Sequence, residues 1–352
     1  MRRGWLDWVA QEVPRDTLAR RVRSVAEALE QRGLGALVLY SGFPRAAQVS
    51  ALSHFVPFWS QALLVVTRSG RSLLTMATTG RTVQWIHTTS VVDEVLVGAD
   101  IGAVAARWLQ QQGLADQALG VAALDDLPHA VHAALAQGLG GHRLVEASAW
   151  YAGLAAGFGA TPAVAARAHG LARTALDGVA GSGWRDAHAV VAALDAHCRS
   201  QGAEEVAVYL APDLQRDARL RRLEGAVNLG ASVALQLSLA YKGHWLRLAS
   251  SFDHHQGRLT PRPRATALHG LLDQAQATGA QADAALAQLG LALESGRVEG
   301  VRGGVPLATL RTLQAGAGIG DWPAAASLTL VLREAEGSRL LITHSPAAAT
   351  AA

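Results

Sequence analysis

The chain has one cysteine, Cys198, and one lysine, Lys242, in 352 residues. A lone cysteine excludes an intramolecular disulfide and any zinc site built from several thiolates of one chain, and it fits a reducing compartment. With lysine so scarce, arginine carries the positive charge. Lys+Arg number 31 against 28 Asp+Glu, a formal net charge of +3, and no basic block with interleaved aromatics occurs. That balance argues against a dedicated nucleic-acid surface. Long apolar runs are missing as well, so a membrane span is not expected. The opening MRRGWLDWVAQEVPRD sets Asp7, Glu12 and Pro14 where a secretion signal needs an unbroken apolar core. A cytoplasmic protein with neither membrane nor nucleic-acid partner is expected. Two further motifs are absent. No G-x-S-x-G elbow occurs, and the glycines of GAGIGDWP, 316–323, are followed by Pro323 rather than by a helix, so they form no dinucleotide loop. No cofactor is expected.

What is present is 50% hydrophobic, enough for one or two cored domains. Leu18, Val22, Val25 and Leu29 recur at helical spacing, with Asp16 as the expected N-cap and Gly33 as the stop. ALVLY, 36–40, reads as a buried strand. QALLVVTRSGRSLLTMA reads as a hairpin, and IGAVAARWLQQQGL, ALGVAAL, PHAVHAALAQGL and HRLVEAS as helix, strand, helix and edge strand. Residues 1–150 therefore form a mixed-sheet α/β domain. From residue 151 the chain turns to Ala-rich helices. A helix at WRDAHAVVAALDAHCRSQG is followed by strands at EVAVYL, SVALQLSLAYK and HWLRLASSF, a helical stretch over 264–294, Gly-rich loops, and a closing hairpin that turns at Glu336-Gly337. The class is α+β, with a second domain over 151–346 and a frayed tail over 347–352.

The stretch VALQLSLAYKGHWLRLASSF, 233–252, carries a resemblance. The order just read resembles the creatinase, prolidase and aminopeptidase P superfamily: a small N-terminal creatinase-like α/β domain, then a pita-bread domain, here shortened. In metal-dependent members this hairpin looks like an Asp, a turn containing Tyr-x-Gly-Tyr, and a second Asp eleven residues after the first. Tyr241, Gly243 and Phe252 keep that register, and Gln236 and Arg247 keep the eleven-residue spacing, but neither is an acid. The family's Gly-His-Gly-Ile-Gly is mirrored by GAGIG, 316–320, with Ala317 in place of the His. Its Glu-Pro segment reads as deleted, and the last glutamate falls near Ala325 or Ala326. A two-metal clamp needs several carboxylates to offset two dications. Gln236 is neutral, and Arg247 brings a permanent positive charge to a ligand position. No metal is expected.

Two functions follow from these substitutions. The resemblance implies either a metal-independent, creatinase-like enzyme acting on a small carboxylate-bearing C–N bonded molecule, or a pseudo-enzyme that keeps the shell as a ligand- or protein-binding module. For the first, Arg247 is the anion anchor, His244 or His54 the base, and Gln236 the orienting amide. Arg247 has a second reading, as a cation paired with an acid where metals would lie. In FDHHQG, Asp253, His254 and His255 follow the hairpin, and adjacent histidines on an extended chain point to opposite sides, so at most one of them, with His254 the candidate, joins a site facing Arg247, and a surface loop is the alternative. His54, Phe58 and Trp59, in SHFVPFWSQ, resemble the segment of the N-terminal domain that lines the cavity. Trp5 and Trp8 make an aromatic stripe suited to core packing or to covering a partner's site. Arg219, Arg221 and Arg222 read as a solvated loop. The resemblance also implies a homodimer with a small-molecule ligand.

Overall fold

The computed structural model describes residues 8–42, 47–57, 60–140, 144–158, 161–181, 183–184, 186–223, 225–274, 278–302, 305–323 and 326–345. The chain divides into two compact units, one of residues 6–159 and one made chiefly of residues 160–352.

In the first unit the elements run α1 (Arg15–Gln31), β1 (Ala36–Ser41), α2 (Ala47–Ser53), β2 (Ala62–Thr67), β3 (Ser72–Met76), α3 (Val83–Thr89), β4 (Glu94–Val97), α4 (Ile101–Gln111), β5 (Leu119–Ala122), α5 (His129–Gly138), β6 (Leu144–Glu146) and α6 (Ser148–Ala156). They build a six-stranded sheet of order β4-β3-β2-β1-β5-β6. The β1–β2 and β2–β3 pairs are antiparallel and the others parallel. Strand β2 is buried at every position because helices cover both faces. Leu37, Leu39, Leu64 and Val66 pack with Val25 and Leu29 of α1 on one side. Val38, Leu63 and Val65 pack with Trp108 and Leu135 on the other. Asp16 is not the N-cap expected from the sequence. The helix starts two residues earlier, after Pro14 at φ −57°, with no side-chain cap, which leaves Asp16 in the first turn. There its carboxylate complements the positive end of the helix dipole.

The second unit runs α7 (Pro162–Asp177), α8 (Ala187–Ser200), β7 (Glu205–Ala211), β8 (Ser232–Tyr241), β9 (His244–His255), β10 (Arg258–Pro261), α9 (Pro263–Gln274), α10 (Gly279–Gln288), β11 (Ala292–Arg302), β12 (Val305–Gln314), β13 (Ser327–Arg333) and β14 (Arg339–His344). Its sheet has the order β12-β11-β13-β14-β9-β8-β7, with β10 on β9. Leu328, Leu330, Leu332, Leu340 and Ile342 pack on Leu268 and Leu272 of α9 and Leu286 of α10. No helix among the described residues is long and apolar enough to cross a membrane.

The β8–β9 hairpin closes on two residues, Lys242 at φ 47° and Gly243 at φ 75°. Both central angles are positive, the hairpin turn that matches strand twist and favours glycine. Glu204 accepts the Gly243 N–H at 3.0 Å, fixing the turn to the neighbouring strand end.

The sequence expectation fails at 292–314, where glycine-rich loops give way to the β11–β12 hairpin. Two register shifts break the alternation along it. Gly296 and Gly300 serve close packing rather than a turn: a Cβ at these positions would meet the Thr329 carbonyl at 2.7 Å and the Leu310 side chain at 2.9 Å.

Candidate functional site

Strand alternation sorts the large sheet into an apolar face under the helices and a polar face opposite. Cross-strand pairs place Tyr209 beside Gln236, Gln236 beside Ala249, Ser238 beside Arg247, Ala249 beside Thr343, Thr343 beside Thr329, Thr329 beside Arg297, and Ser327 beside Glu299. These residues share one face across six strands, β7, β8, β9, β14, β13 and β11. Gln236, Ser238, Glu299, Thr329 and Thr343 are all buried.

At its centre Arg247 forms an ion pair with Glu299 through Nη1, donates through Nε to the Ser238 hydroxyl at 2.8 Å, and stacks 5.8 Å from the Tyr209 ring centre. A second guanidinium, that of Arg297, lies with its Nε 3.0 Å from the same Glu299 oxygen. The other carboxylate oxygen accepts from Thr329 at 3.2 Å. From there hydroxyls continue the line. Thr329 and Thr343 are 2.9 Å apart, and Gln236 donates to Thr343 at 2.8 Å. With two cations and one anion, the group carries one excess positive charge.

The same residues straddle a seam. Strands β9 and β14 share one Cα pair, Ala249 with Thr343. Serines extend the contact on both sides. Ser251 Oγ donates to the Leu341 carbonyl and accepts the Leu341 N–H, at 2.8 and 2.7 Å, and Ser345 Oγ donates to the Arg247 carbonyl at 2.7 Å and accepts the Arg247 N–H at 3.3 Å.

Behind the seam, on the apolar face, lie three histidines. His269 bonds through Nε2 to the Ala249 carbonyl at 2.8 Å, and His344 Nδ1 stands 3.5 Å from Asp273, whose other oxygen meets Arg173 at 3.4 Å. Burial pushes His269 down to about 3, and burial likewise lowers His344 and His169. His169 Nε2 and His269 Nδ1 are buried without a hydrogen-bond partner among the described residues.

The residues expected from the sequence divide accordingly. Gln236 and Arg247 meet in the polar cluster. His244, three residues before Arg247 on β9, falls on the opposite face by alternation. Burial lowers it to about 4, so it stays neutral at physiological pH. His254 shares that opposite face, with Nδ1 3.1 Å from the Gly230 carbonyl. Asp253 pairs with Arg262 at 3.5 Å. His54 belongs to the first unit, buried at φ 64° with Nδ1 3.2 Å from the Thr89 carbonyl. Phe58, Trp59 and Trp5 lie outside the described residues, as does Ala325. Trp8 bonds to the Val13 carbonyl at 2.8 Å under the Arg15 guanidinium. Arg219 and Arg221 both pair with Asp217, while Arg222 helps line a cavity of about 260 Å³ between α8 and β7. Ala317 stands in an exposed turn rather than on the polar face. That turn is clasped from below: Asp283 accepts the Ile319 N–H at 3.0 Å, and Arg311 donates to the Gly320 carbonyl at 3.1 Å. Burial raises the Cys198 thiol to about 12, which leaves it protonated and unreactive.

Glu299, Arg297 and the threonine ladder escaped the sequence reading. The available signal was Arg297-x-Glu299 at the two-residue spacing of a strand, hidden by the flanking glycines.

Comparison of the fold with solved structures finds the same fold over most of the chain. An X-Pro aminopeptidase from Thermotoga maritima superposes with TM-score 0.59 and 14% identity over 92% of this chain and 93% of that one. An Xaa-Pro dipeptidase from Bacillus anthracis gives 0.58, 15%, 93% and 92%, and the prolidase from Pyrococcus horikoshii 0.58, 12%, 92% and 94%. The chain has the prolidase and aminopeptidase P fold. No sequence-family model matches it. No curated protein matches it either.

The two-metal centre implied by the sequence resemblance meets an unsuited donor set in this prolidase-like sheet. Gln236 turns its amide nitrogen toward Thr343, Arg247 is cationic, and Glu299 is already engaged by two guanidiniums. Among the described residues, no group of three or more His, Cys, Asp or Glu is placed to hold a metal ion.

Proposed function

We propose that this protein is a metal-independent homologue of the Xaa-Pro peptidases that binds a small carboxylate-bearing molecule without hydrolysing peptides. The observation that carries this reading is the Arg247–Glu299 pair, joined by Arg297, at the centre of the polar face. Dications brought there would face two fixed guanidiniums in a setting of reduced dielectric. The excess positive charge favours an anionic ligand. Binding is favoured over turnover because the nearest histidine on β9, His244, points to the other face, and the remaining polar groups beside Arg247 are hydroxyls and an amide that already bond to one another. We include in the proposal the homodimer that the resemblance implies, which sedimentation equilibrium tests directly.

The functional test is an assay of Xaa-Pro dipeptides and N-acyl amino acids, each with and without added manganese, cobalt or zinc. The reading expects no release of free amino acid under any condition. Metal-stimulated cleavage of a proline dipeptide would overturn it.

A further inference from the structure

We infer that Arg247 and Arg297 are the two arms of a carboxylate clamp in which Glu299 is the resident counter-ion. This inference rests on the binding reading above and names its ligand class. Both guanidiniums lie against one oxygen of Glu299, Arg247 hydrogen-bonded to it through Nη1 and Arg297 in ionic contact with it through Nε at 3.0 Å. Arg247 is fixed further by Ser238 at Nε and by Ser345 at both backbone groups. What it has left is Nη2, which has no partner among the described residues, and its side chain keeps 11% of its exposure. Arg297 has both terminal nitrogens left in the same sense, on a side chain 37% exposed. These are donors of the fork type that grips carboxylates two at a time.

Charge narrows the choice of ligand. The group holds two cations and one anion, so one added monoanion brings it to neutrality, whereas a dianionic phosphate overshoots. The flanking side chains narrow it again. Tyr209 faces Arg247, and Trp245 follows on the same face of β9. A carboxylate with a flat or apolar body suits that border, while its head meets the arginines.

The role of Glu299 gives the proposal its distinguishing test. A resident carboxylate competes with the ligand for the same two guanidiniums. Replacing Glu299 by Gln removes the competing charge and keeps an amide that bonds to Thr329. Glu299→Gln is therefore expected to tighten ligand binding, the reverse of what loss of an ordinary structural residue does.

The experiment is calorimetric titration of the full-length protein with benzoate, with benzamide as the uncharged analogue and inorganic phosphate as the alternative anion. The expected result is saturable benzoate binding, none for benzamide, and weaker binding of phosphate. Arg297→Ala is expected to weaken benzoate by about tenfold, the effect of losing a charge-assisted hydrogen bond, and Glu299→Gln to strengthen it. Benzoate binding that neither variant alters, binding that Glu299→Gln weakens, or phosphate binding as tight as benzoate would overturn the clamp. So would an absence of benzoate binding in both wild type and Glu299→Gln. Metal content separates this failure from failure of the broader reading. A metal-free protein that ignores benzoate refutes the clamp alone, whereas stoichiometric bound metal refutes the reading on which it rests.

Discussion

At the scale of single residues, Glu299 keeps only 4% of its side-chain exposure and Arg247 only 11%, so each shields a charge that the other needs. Removing one partner leaves a buried ion uncompensated. Glu299→Ala is expected to lower folding stability by about 3–5 kcal/mol, and the double change Arg247→Met with Glu299→Leu to recover most of it. Urea melts of the wild type and the two variants measure this. A loss under about 1 kcal/mol for Glu299→Ala, the range of exposed pairs, would mean that the pair is solvated. The two halves of this pair differed in legibility. Arg247 is visible in the sequence because its hairpin has an eleven-residue spacing and a Tyr-Lys-Gly turn. Glu299 is not, because Gly296 and Gly300 resemble loop residues until the partner strands that crowd them are known. The pairing reading of Arg247, one of two open from the sequence, is the contact observed, and its partner lies on a strand whose glycines resemble those of a loop.

Elements bring these residues together through a seam that local pattern does not reveal. One Cα pair joins β9 to β14, and Ser251 and Ser345 complete the contact with bonds to backbone on the opposing strand. Ser251→Ala removes two hydrogen bonds and leaves the Leu341 N–H buried without its acceptor, at an expected cost of about 1–3 kcal/mol. Hydrogen exchange at Leu341 reports it: the amide is expected to exchange faster while those of β2 in the other unit stay unchanged. Equal protection of Leu341 in both proteins would show that the serine does not hold the seam.

The histidines behind that seam add a pH dependence. His269 and His344 are neutral in the fold because burial lowers each to about 3, and burial lowers His169 in the same direction. The unfolded chain protonates each near pH 6.5. Below that value the unfolded state binds more protons, so stability that is full above about 6.5 is lost as pH falls toward 3. The slope is about 1.4 kcal/mol per pH unit for each of His269 and His344. Thermal melts are expected to be level from pH 7 to 8 and to fall progressively below pH 6.5, less steeply in His269→Gln. A melting temperature constant down to pH 4.5 would contradict this. Hairpins such as β2–β3 and β13–β14 were legible from apolar runs and turn residues, since both signals are local. The β9–β14 contact and the histidine cluster join residues far apart in sequence, so they emerge only with the sheet order.

For the whole molecule, the α+β class and most of the element order outside 292–314 were readable from periodicity, and the fold is that of the prolidases and aminopeptidases P over more than nine-tenths of the chain. Identities of 12–15% show how little of that fold depends on particular side chains. A sheet with one apolar face under helices tolerates a rebuilt polar face, which is where chemistry is gained or lost. Here that face carries an arginine pair around one carboxylate. The most direct test is elemental analysis of the purified protein after incubation with excess manganese, cobalt or zinc and extensive dialysis. The account predicts no more than trace metal; retention of about two ions per chain, the stoichiometry of a two-metal clamp, would contradict it.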